Sequence, residues 1–371
     1  MSAASGARPP ARPGAESDEL LEDQVKAVYR EILKRAPEHD FEPTLDRMLA
    51  AMELLGDPQR TYKTIHVAGT NGKTSTARIA ESLVRAHGLR TGLMTSPHLA
   101  SVRERIAIDG QPISRAAFLD AWSLVGPVVD LVDQRSAATG GPKMSFFEVL
   151  TVLGFVAFAD APVDVAVIEV GMGGAWDATN VVESSVQVIT PISRDHERWL
   201  GSSLESIAAE KAGIIRDRAV IGRQPAPAAE VLEETLIAKG ATGYWLDRDF
   251  EVLGRGVAVG GQVIRLRGLA GEYEEVPLAL FGTHQADNAA LAAAAVELLM
   301  SDAADPLPGA AYREGMETAA SPGRLEVVRQ GPTVLVDAAH NVAGAEALVA
   351  ALDEAFPFRL IGLVGVLEDK D

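Results

Sequence analysis

Cysteine is absent from the 371 residues. That excludes a disulfide framework, a thiolate zinc site and a cysteine nucleophile, and it fits a reducing, cytoplasmic compartment. Aromatic residues make up only 5% of the chain, too few and too scattered to form platforms on which nucleic-acid bases stack. Positive charge is also scarce: 34 Lys and Arg face 52 Asp and Glu, for a net charge of −18. Such a chain repels phosphate backbones and anionic lipid, so neither nucleic acid nor a membrane surface is expected as a partner. No apolar run reaches the ~18 residues of a membrane span. What is present is ordinary for a globular protein, with 47% hydrophobic and 23% charged residues. At roughly 100–200 residues per domain, the length suggests two or three domains.

Residues 1–17 are small and Pro-rich without periodicity and read as a disordered tail. Arg8 and Arg12 among Ala and Ser raise the idea of a transit peptide, but amphipathic periodicity is missing. From Asp18, Leu20, Leu21, Val25, Val28, Tyr29 and Ile32 recur at helical spacing, and a second helix is expected over 45–55. Strand, loop and helix then alternate to about residue 240. Residues 163–170 are almost continuously apolar, as a parallel strand covered on both faces must be. Residues 64–68, 91–95, 186–192 and 219–222 are its expected neighbours. The pattern is that of an α/β, doubly wound, mostly parallel sheet. Short alternating segments with Gly254, Gly256, Gly260 and Gly261 predict antiparallel hairpins appended to that sheet over about 244–283. An alanine-rich helix over 285–300 completes a first domain spanning 18–310. A βαβ pattern begins near Arg324, with strands over 333–336 and 360–366 and a helix over 343–355. This second, Rossmann-like unit, 311–371, reads as the incomplete start of a domain that typically needs ~100–150 residues.

The strongest local signal is Gly69-Thr70-Asn71-Gly72-Lys73-Thr74-Ser75, set between the strand ending at Ala68 and a helix. Glycines let successive N–H groups converge on phosphate oxygens, and the helix N-terminus adds partial positive charge. Lys73 would neutralise the β and γ phosphates, while Thr74 or Ser75 offers a hydroxyl to Mg²⁺. Val67 stands where the general motif has its first glycine, so the loop is a shortened relative of the usual one. Glu169, ending the apolar strand before Gly171-Met172-Gly173-Gly174, suits a metal-holding carboxylate. His196, in Ser193-Arg194-Asp195-His196, lies at the end of another strand and is as easily structural as ligating. Lys211 precedes Gly213 in a late helical turn, where spacing alone marks only a partner for the helix dipole.

Taken together, the words stop being independent. The phosphate loop, Thr95-Ser96-Pro97-His98-Leu99, Glu104-Arg105-Ile106, Val167-Ile168-Glu169-Val170-Gly171, Asp195-His196 and Glu210-Lys211-Ala212-Gly213-Ile214 occur in one order. With Asn288, Pro322-Gly323-Arg324-Leu325-Glu326, Asp337-Ala338-Ala339-His340-Asn341 and residues 365–371, this order resembles the folylpolyglutamate synthase and dihydrofolate synthase family, a branch of the Mur ligases. The resemblance extends over about 20–371. It implies an ATP-dependent ligase that adds L-glutamate to dihydropteroate or a reduced folate through an acyl phosphate. It assigns Lys73 and the loop residues Gly69, Thr70, Asn71, Gly72, Thr74 and Ser75, with Asn288, Arg324 and Asp337, to ATP. Thr95, Ser96, Pro97, His98 and Arg105 fall to the pterin substrate. Ser96, Glu169 and His196 correspond to ligands of one Mg²⁺, and Lys211 to a carbamylated lysine beside a second. His340 falls near the nucleotide and the incoming glutamate. A monomer is the family's usual state. Val342 stands where the family carries proline.

Two other readings remain at this stage. A cell-wall Mur-type amino-acid ligase shares the phosphate loop, but the Thr95–Leu99 and Glu104-Arg105-Ile106 words match the folate branch. An inactive nucleotide- or folate-binding fragment is the second, because the family's second domain continues beyond the motif at 365–371.

Overall fold

The computed structural model describes residues 15–37 and 42–365. The tail expected over 1–17 lies outside them as far as residue 14, and the first helix, α1 (Ala15–Ile32), begins three residues earlier than its apolar spacing suggests. It is followed by α2 (Asp46–Leu55). The main sheet takes up β1 (Lys63–Ala68), β2 (Thr91–Met94), β3 (Ile106–Ile108), β4 (Gln111–Pro112), β5 (Val165–Glu169), β6 (Val186–Ile189), β7 (Arg218–Ile221) and β8 (Thr242–Trp245). Their order is β4-β3-β2-β5-β1-β6-β7-β8. Five adjacent pairs from β2 to β8 are parallel, and β3 and β4 join antiparallel at one edge.

Helices cover both faces, as a parallel sheet requires. α3 (Lys73–Ala86) links β1 to β2, while α4 (Arg115–Ala138) and α5 (Phe146–Asp160) lead into β5. α6 (Glu197–Leu200), α7 (Leu204–Lys211) and α8 (Ala226–Lys239) wind around β7. Period-two alternation in β5 divides the interior. Val165 and Val167 join a core with Ile65, Val67 and the α3 residues Ile79 and Leu83. The intervening Ala166 and Ile168 join another with Val129 of α4 and Val149 and Leu153 of α5. A third core under α7 and α8 takes Ile189 and Ile221.

Four expectations need correction. Tyr244 and Trp245, expected in the hairpin region, belong to β8, which pairs parallel with β7. The hairpins themselves, β9 (Glu251–Ala258), β10 (Gly261–Arg267) and β11 (Glu272–Leu278), form a separate three-stranded sheet. They pack their apolar face, with Ile264, Leu266 and Val276, onto the long helix α9 (Thr283–Ser301), because a small sheet needs a helix to cover its apolar face. The helix α10 (Gly309–Glu317) has no counterpart in the sequence reading. Beyond it, β12 (Glu326–Gln330) and β13 (Thr333–Val336) pair antiparallel instead of opening a βαβ unit. α11 (Val342–Ala355) follows, but residues 360–365 form no strand. A strand exists only through the neighbour it pairs with, and these residues have none among those described, leaving Ile361, Leu363 and Val364 exposed. The last residues of that expected strand and motif, 366–371, lie outside the described ones.

The last unit is held to the first by specific contacts. Arg255 of β9 grips both carboxylate oxygens of Glu354 in α11, at 2.7 and 2.8 Å. The Phe281 and Phe356 rings meet at 5.0 Å. α10 in turn lies close on α3, where a Cβ on Gly315 would sit 2.7 Å from the Leu83 Cα. Gly315→Ala is therefore expected to cost about 1–3 kcal/mol by overpacking, read as a lowered thermal-unfolding midpoint with unchanged nucleotide affinity.

Candidate active site

The carboxyl ends of β1, β2, β5 and β6 lie side by side, and the loops that leave them meet in a cleft of about 520 Å³, where ligands bind in open α/β sheets. The phosphate loop leaves β1 under tight constraint. A Cβ on Gly69 (φ 141°) would lie 1.9 Å from the Thr190 Oγ1, and one on Gly72 (φ 88°) 2.4 Å from the Asn288 Oδ1. Both backbone conformations favour glycine. The loop is stapled to the end of β6: Thr70 and Asn71 donate their backbone N–H groups to the Pro191 carbonyl. The Thr70 hydroxyl donates to the Ser193 carbonyl at 3.0 Å, and the Asn71 amide donates to the Ser193 hydroxyl at 3.0 Å.

Lys73 opens α3, and its Nζ donates to the Thr70 carbonyl at 3.2 Å while lining the cleft. Burial lowers its pKa, opposed by the charges of Glu169 and Asp195. Glu169 is 3% exposed. Its Oε1 accepts from the Thr74 hydroxyl at 2.8 Å and its Oε2 from the Ser96 N–H at 3.1 Å. Burial pushes the carboxyl pKa above its usual range, and Lys73 pulls the other way. Thr74 faces Glu169, whereas the Ser75 hydroxyl bonds Ser321 at 3.0 Å and accepts from Gln285 at 3.2 Å.

His196 lines the same cleft in a left-handed conformation (φ 52°), its N–H donating to Asp195. Asp195 is a junction with the last unit, lying 3.3 Å from the His340 Nε2 and accepting from the Asn341 amide at 3.2 Å. The same Asn341 amide also reaches the Asn71 Oδ1 at 3.0 Å. Arg324, Asp337 and Asn288 line the cleft as well. Asp337 accepts the N–H groups of Leu325 and Ala339, fixing the turn that carries His340.

Lys211 does not line the cleft. It is buried behind the phosphate loop, its Nζ donating to the Gly69 carbonyl at 2.8 Å. Burial and the nearby Lys73 pull its pKa down to about 7. The glycine run after β5 permits this placement, since a Cβ on Gly174 would lie 2.6 Å from the Glu210 carbonyl. Of the residues expected at the pterin end, Ser96 and Pro97 line the cleft. Thr95, His98 and Arg105 sit behind it: Arg105 donates to His98 at 2.8 Å and lies over the Phe146 ring at 5.2 Å.

The cleft has further walls that sequence reasoning missed. Phe147 lies against Gly171 and Trp176 against Gly173, and with Met172, Ser145 and the buried Asp177 they line the side beyond Glu169. On the side of the last unit, Ala343, Ala347 and Leu348 of α11 line it with Leu325, His284 and Asp287. The missed signal was the run Asp177-Ala178-Thr179, an Asx turn in which Asp177 accepts from the Thr179 N–H at 2.9 Å.

Residues 323–371 match the family model for the Mur ligase glutamate ligase domain. A dihydrofolate synthase/folylpolyglutamate synthase of Mycobacterium tuberculosis is 53% identical over 351 residues, covering 91% of this chain and 72% of that protein. The solved Mycobacterium tuberculosis folylpolyglutamate synthase complexed with ADP and AMPPCP aligns with a TM-score of 0.89 at 50% identity, over 95% of this chain and 78% of that one. An FPGS–AMPPCP–folate complex aligns at 0.83 and 33% identity, over 89% of this chain and 80% of that one.

Proposed function

We infer that this chain, which belongs to the folylpolyglutamate synthase and dihydrofolate synthase family, is an ATP-dependent ligase that joins L-glutamate to the carboxylate of a pteroate or folate. The observation that carries the reading is the meeting, in one cleft, of a Gly-Lys-Thr phosphate loop with an aromatic-walled side beyond Glu169. The nucleotide's phosphates would lie on the N–H groups where the loop enters α3, since those of Thr70 and Asn71 are held by Pro191, and on the Lys73 ammonium. Its base would lie toward Asn288, Arg324 and the apolar face of α11. A flat pterin suits the side walled by Phe147, Trp176 and Met172, where the buried Asp177 accepts N–H donors.

The chemistry has two steps. A carboxylate oxygen of the pteroate or folate attacks the γ-phosphorus and ADP departs, leaving an acyl phosphate. The glutamate amine then attacks the acyl carbon, phosphate leaves and a proton is lost. Lys73 stabilises the charge that moves onto the β–γ bridging oxygen. The His340–Asn341 turn, bonded to Asp195 and Asn71, keeps the last unit against the loop and limits water.

The donor set fits Mg²⁺. Glu169 is a buried carboxylate flanked by the Thr74 and Ser96 hydroxyl-bearing residues, with His196 at the rim. No cluster of three or more His, Asp or Glu able to hold a metal exists among the described residues, and Mg²⁺ binds through one or two carboxylates plus substrate phosphates. When bound, the ion supplies Lewis-acid neutralisation of the phosphate oxygens. Ser96, Glu169 and His196 would hold one ion and a carbamylated Lys211 would face a second. We propose a monomer, the state that the family resemblance implies, and a cytoplasmic enzyme, a placement that the lack of cysteine fits; no helix among the described residues is long and apolar enough to cross a membrane.

The test is ATP- and Mg²⁺-dependent incorporation of radiolabelled L-glutamate, with dihydropteroate and tetrahydrofolate as separate acceptors. Turnover with either is expected. Use of neither acceptor, with ATP bound, overturns the assignment.

A further inference from the structure

His66, in the middle of β1, is fully buried and lies outside the machinery described above. Its Nε2 is 2.8 Å from the Thr179 Oγ1. The Thr179 hydroxyl in turn donates to the Oδ1 of Asp177, which also accepts the Thr179 N–H, while its Oδ2 accepts the Met172 N–H at 2.9 Å. Burial raises the Asp177 pKa to about 6, so near neutral pH the group is mainly a carboxylate, and the direction of this chain follows from that. Asp177 as a carboxylate only accepts, so the single hydroxyl proton of Thr179 points to it, and the hydroxyl oxygen is left to accept from His66. The imidazole therefore carries its proton on Nε2. Its Nδ1 has no hydrogen-bond partner, and burial, with Arg216 nearby, lowers the pKa to about 3, which keeps the ring neutral.

A buried imidazole with one nitrogen unsatisfied is a poor choice for packing alone, where leucine would bury no polar group. What it adds is one directed N–H. We infer that His66 is a positioning residue for the acceptor substrate: through Thr179 it orients the Asp177 carboxylate that lines the cleft. The inference rests on the reading that Asp177 receives the pterin ring. The orienting bonds reach Asp177 from β1, the strand that also delivers the phosphate loop, so the two ends of the cleft share one rigid element.

The experiment measures KM for the pteroate or folate acceptor and for ATP in the full chain and its variants. Thr179→Val and His66→Leu are each expected to raise the acceptor KM about tenfold, the size of a hydrogen bond to a charged group, with the ATP KM within twofold. His66→Gln, whose amide keeps a donor at the Nε2 position, restores the acceptor KM to within about threefold of the parent. The His66→Leu/Thr179→Val pair is no worse than Thr179→Val alone, as expected when two groups act in series. Thr179→Val with an unchanged acceptor KM, additive effects in the pair, or His66→Gln as impaired as His66→Leu overturns the relay. Asp177→Asn separates the premise: if it leaves the acceptor KM unchanged, the reading of Asp177 fails. If it raises that KM while Thr179→Val does not, the relay alone fails.

Discussion

Lys73→Met is expected to remove turnover from a chain that still folds, lowering kcat by about 10³-fold or more. The Lys73 side chain reaches into the cleft, where it donates a hydrogen bond to the Thr70 carbonyl and lies near the charges of Glu169 and Asp195. Methionine retains the length and the apolar stem, so packing loss is small. What disappears is a cation already dehydrated by its surroundings, as the lowered pKa records. A charge stripped of water before substrate arrives needs no reorganisation when negative charge shifts toward ADP. The loss is expected mainly in kcat, because the loop N–H groups continue to hold the nucleotide. Stopped-flow single-turnover kinetics beside ADP titration separates the two, and a kcat within tenfold of the parent would remove Lys73 from the reaction.

The second large effect concerns Lys211. Carbamylation joins a neutral amine to CO₂ and releases a proton, so it needs the unprotonated form. An ordinary lysine near pH 7 is almost entirely charged. With the pKa lowered to about 7, the free-base fraction rises from about a tenth at pH 6 to about nine tenths at pH 8. A base with a lowered pKa is neutral above that value and charged below it. Activity recovered on adding bicarbonate to CO₂-depleted enzyme is therefore expected to increase across this range. ¹³C-bicarbonate should give a carbamate resonance that Lys211→Ala lacks. Lys211→Ala is expected to lose about 10²-fold in kcat, the scale of a disturbed metal ligand or its support, and Lys211→Arg no less, since guanidinium stays charged. Activity indifferent to CO₂ would leave Lys211 as the buried donor to the Gly69 carbonyl that the structure displays.

Much of the site could be read from the sequence because its parts sit at the ends of elements with strong periodic signals. β5 is apolar on both faces, so the carboxylate that ends it, Glu169, stands out in the text as it does in the cleft. The walls contributed by side chains on helices and glycine runs were harder. Phe147 lies in an apolar helix, and nothing in its periodicity separates a lining residue from its buried neighbour Phe146. Asp177 comes after a glycine run, in a turn where its N–H donates to the Gly174 carbonyl, and no apolar periodicity marks it. In the last unit, Gly331-Pro332 lies between two strand-like runs and forms a hairpin, a local turn that a βαβ pattern does not contain. The strand expected over 360–366 shows the opposite limit: its residues favour a strand, but propensity supplies no pairing partner.

The contact between Gly72 and Asn288 constrains how the phosphate loop can change over generations of mutation. A side chain at position 72 collides with the Asn288 amide and must adopt a left-handed backbone. Shortening residue 288 would relieve the collision but not the backbone, and it would remove an amide that lines the cleft beside the loop. A change at position 72 therefore calls for a matching change at 288, and even then the left-handed backbone continues to favour glycine.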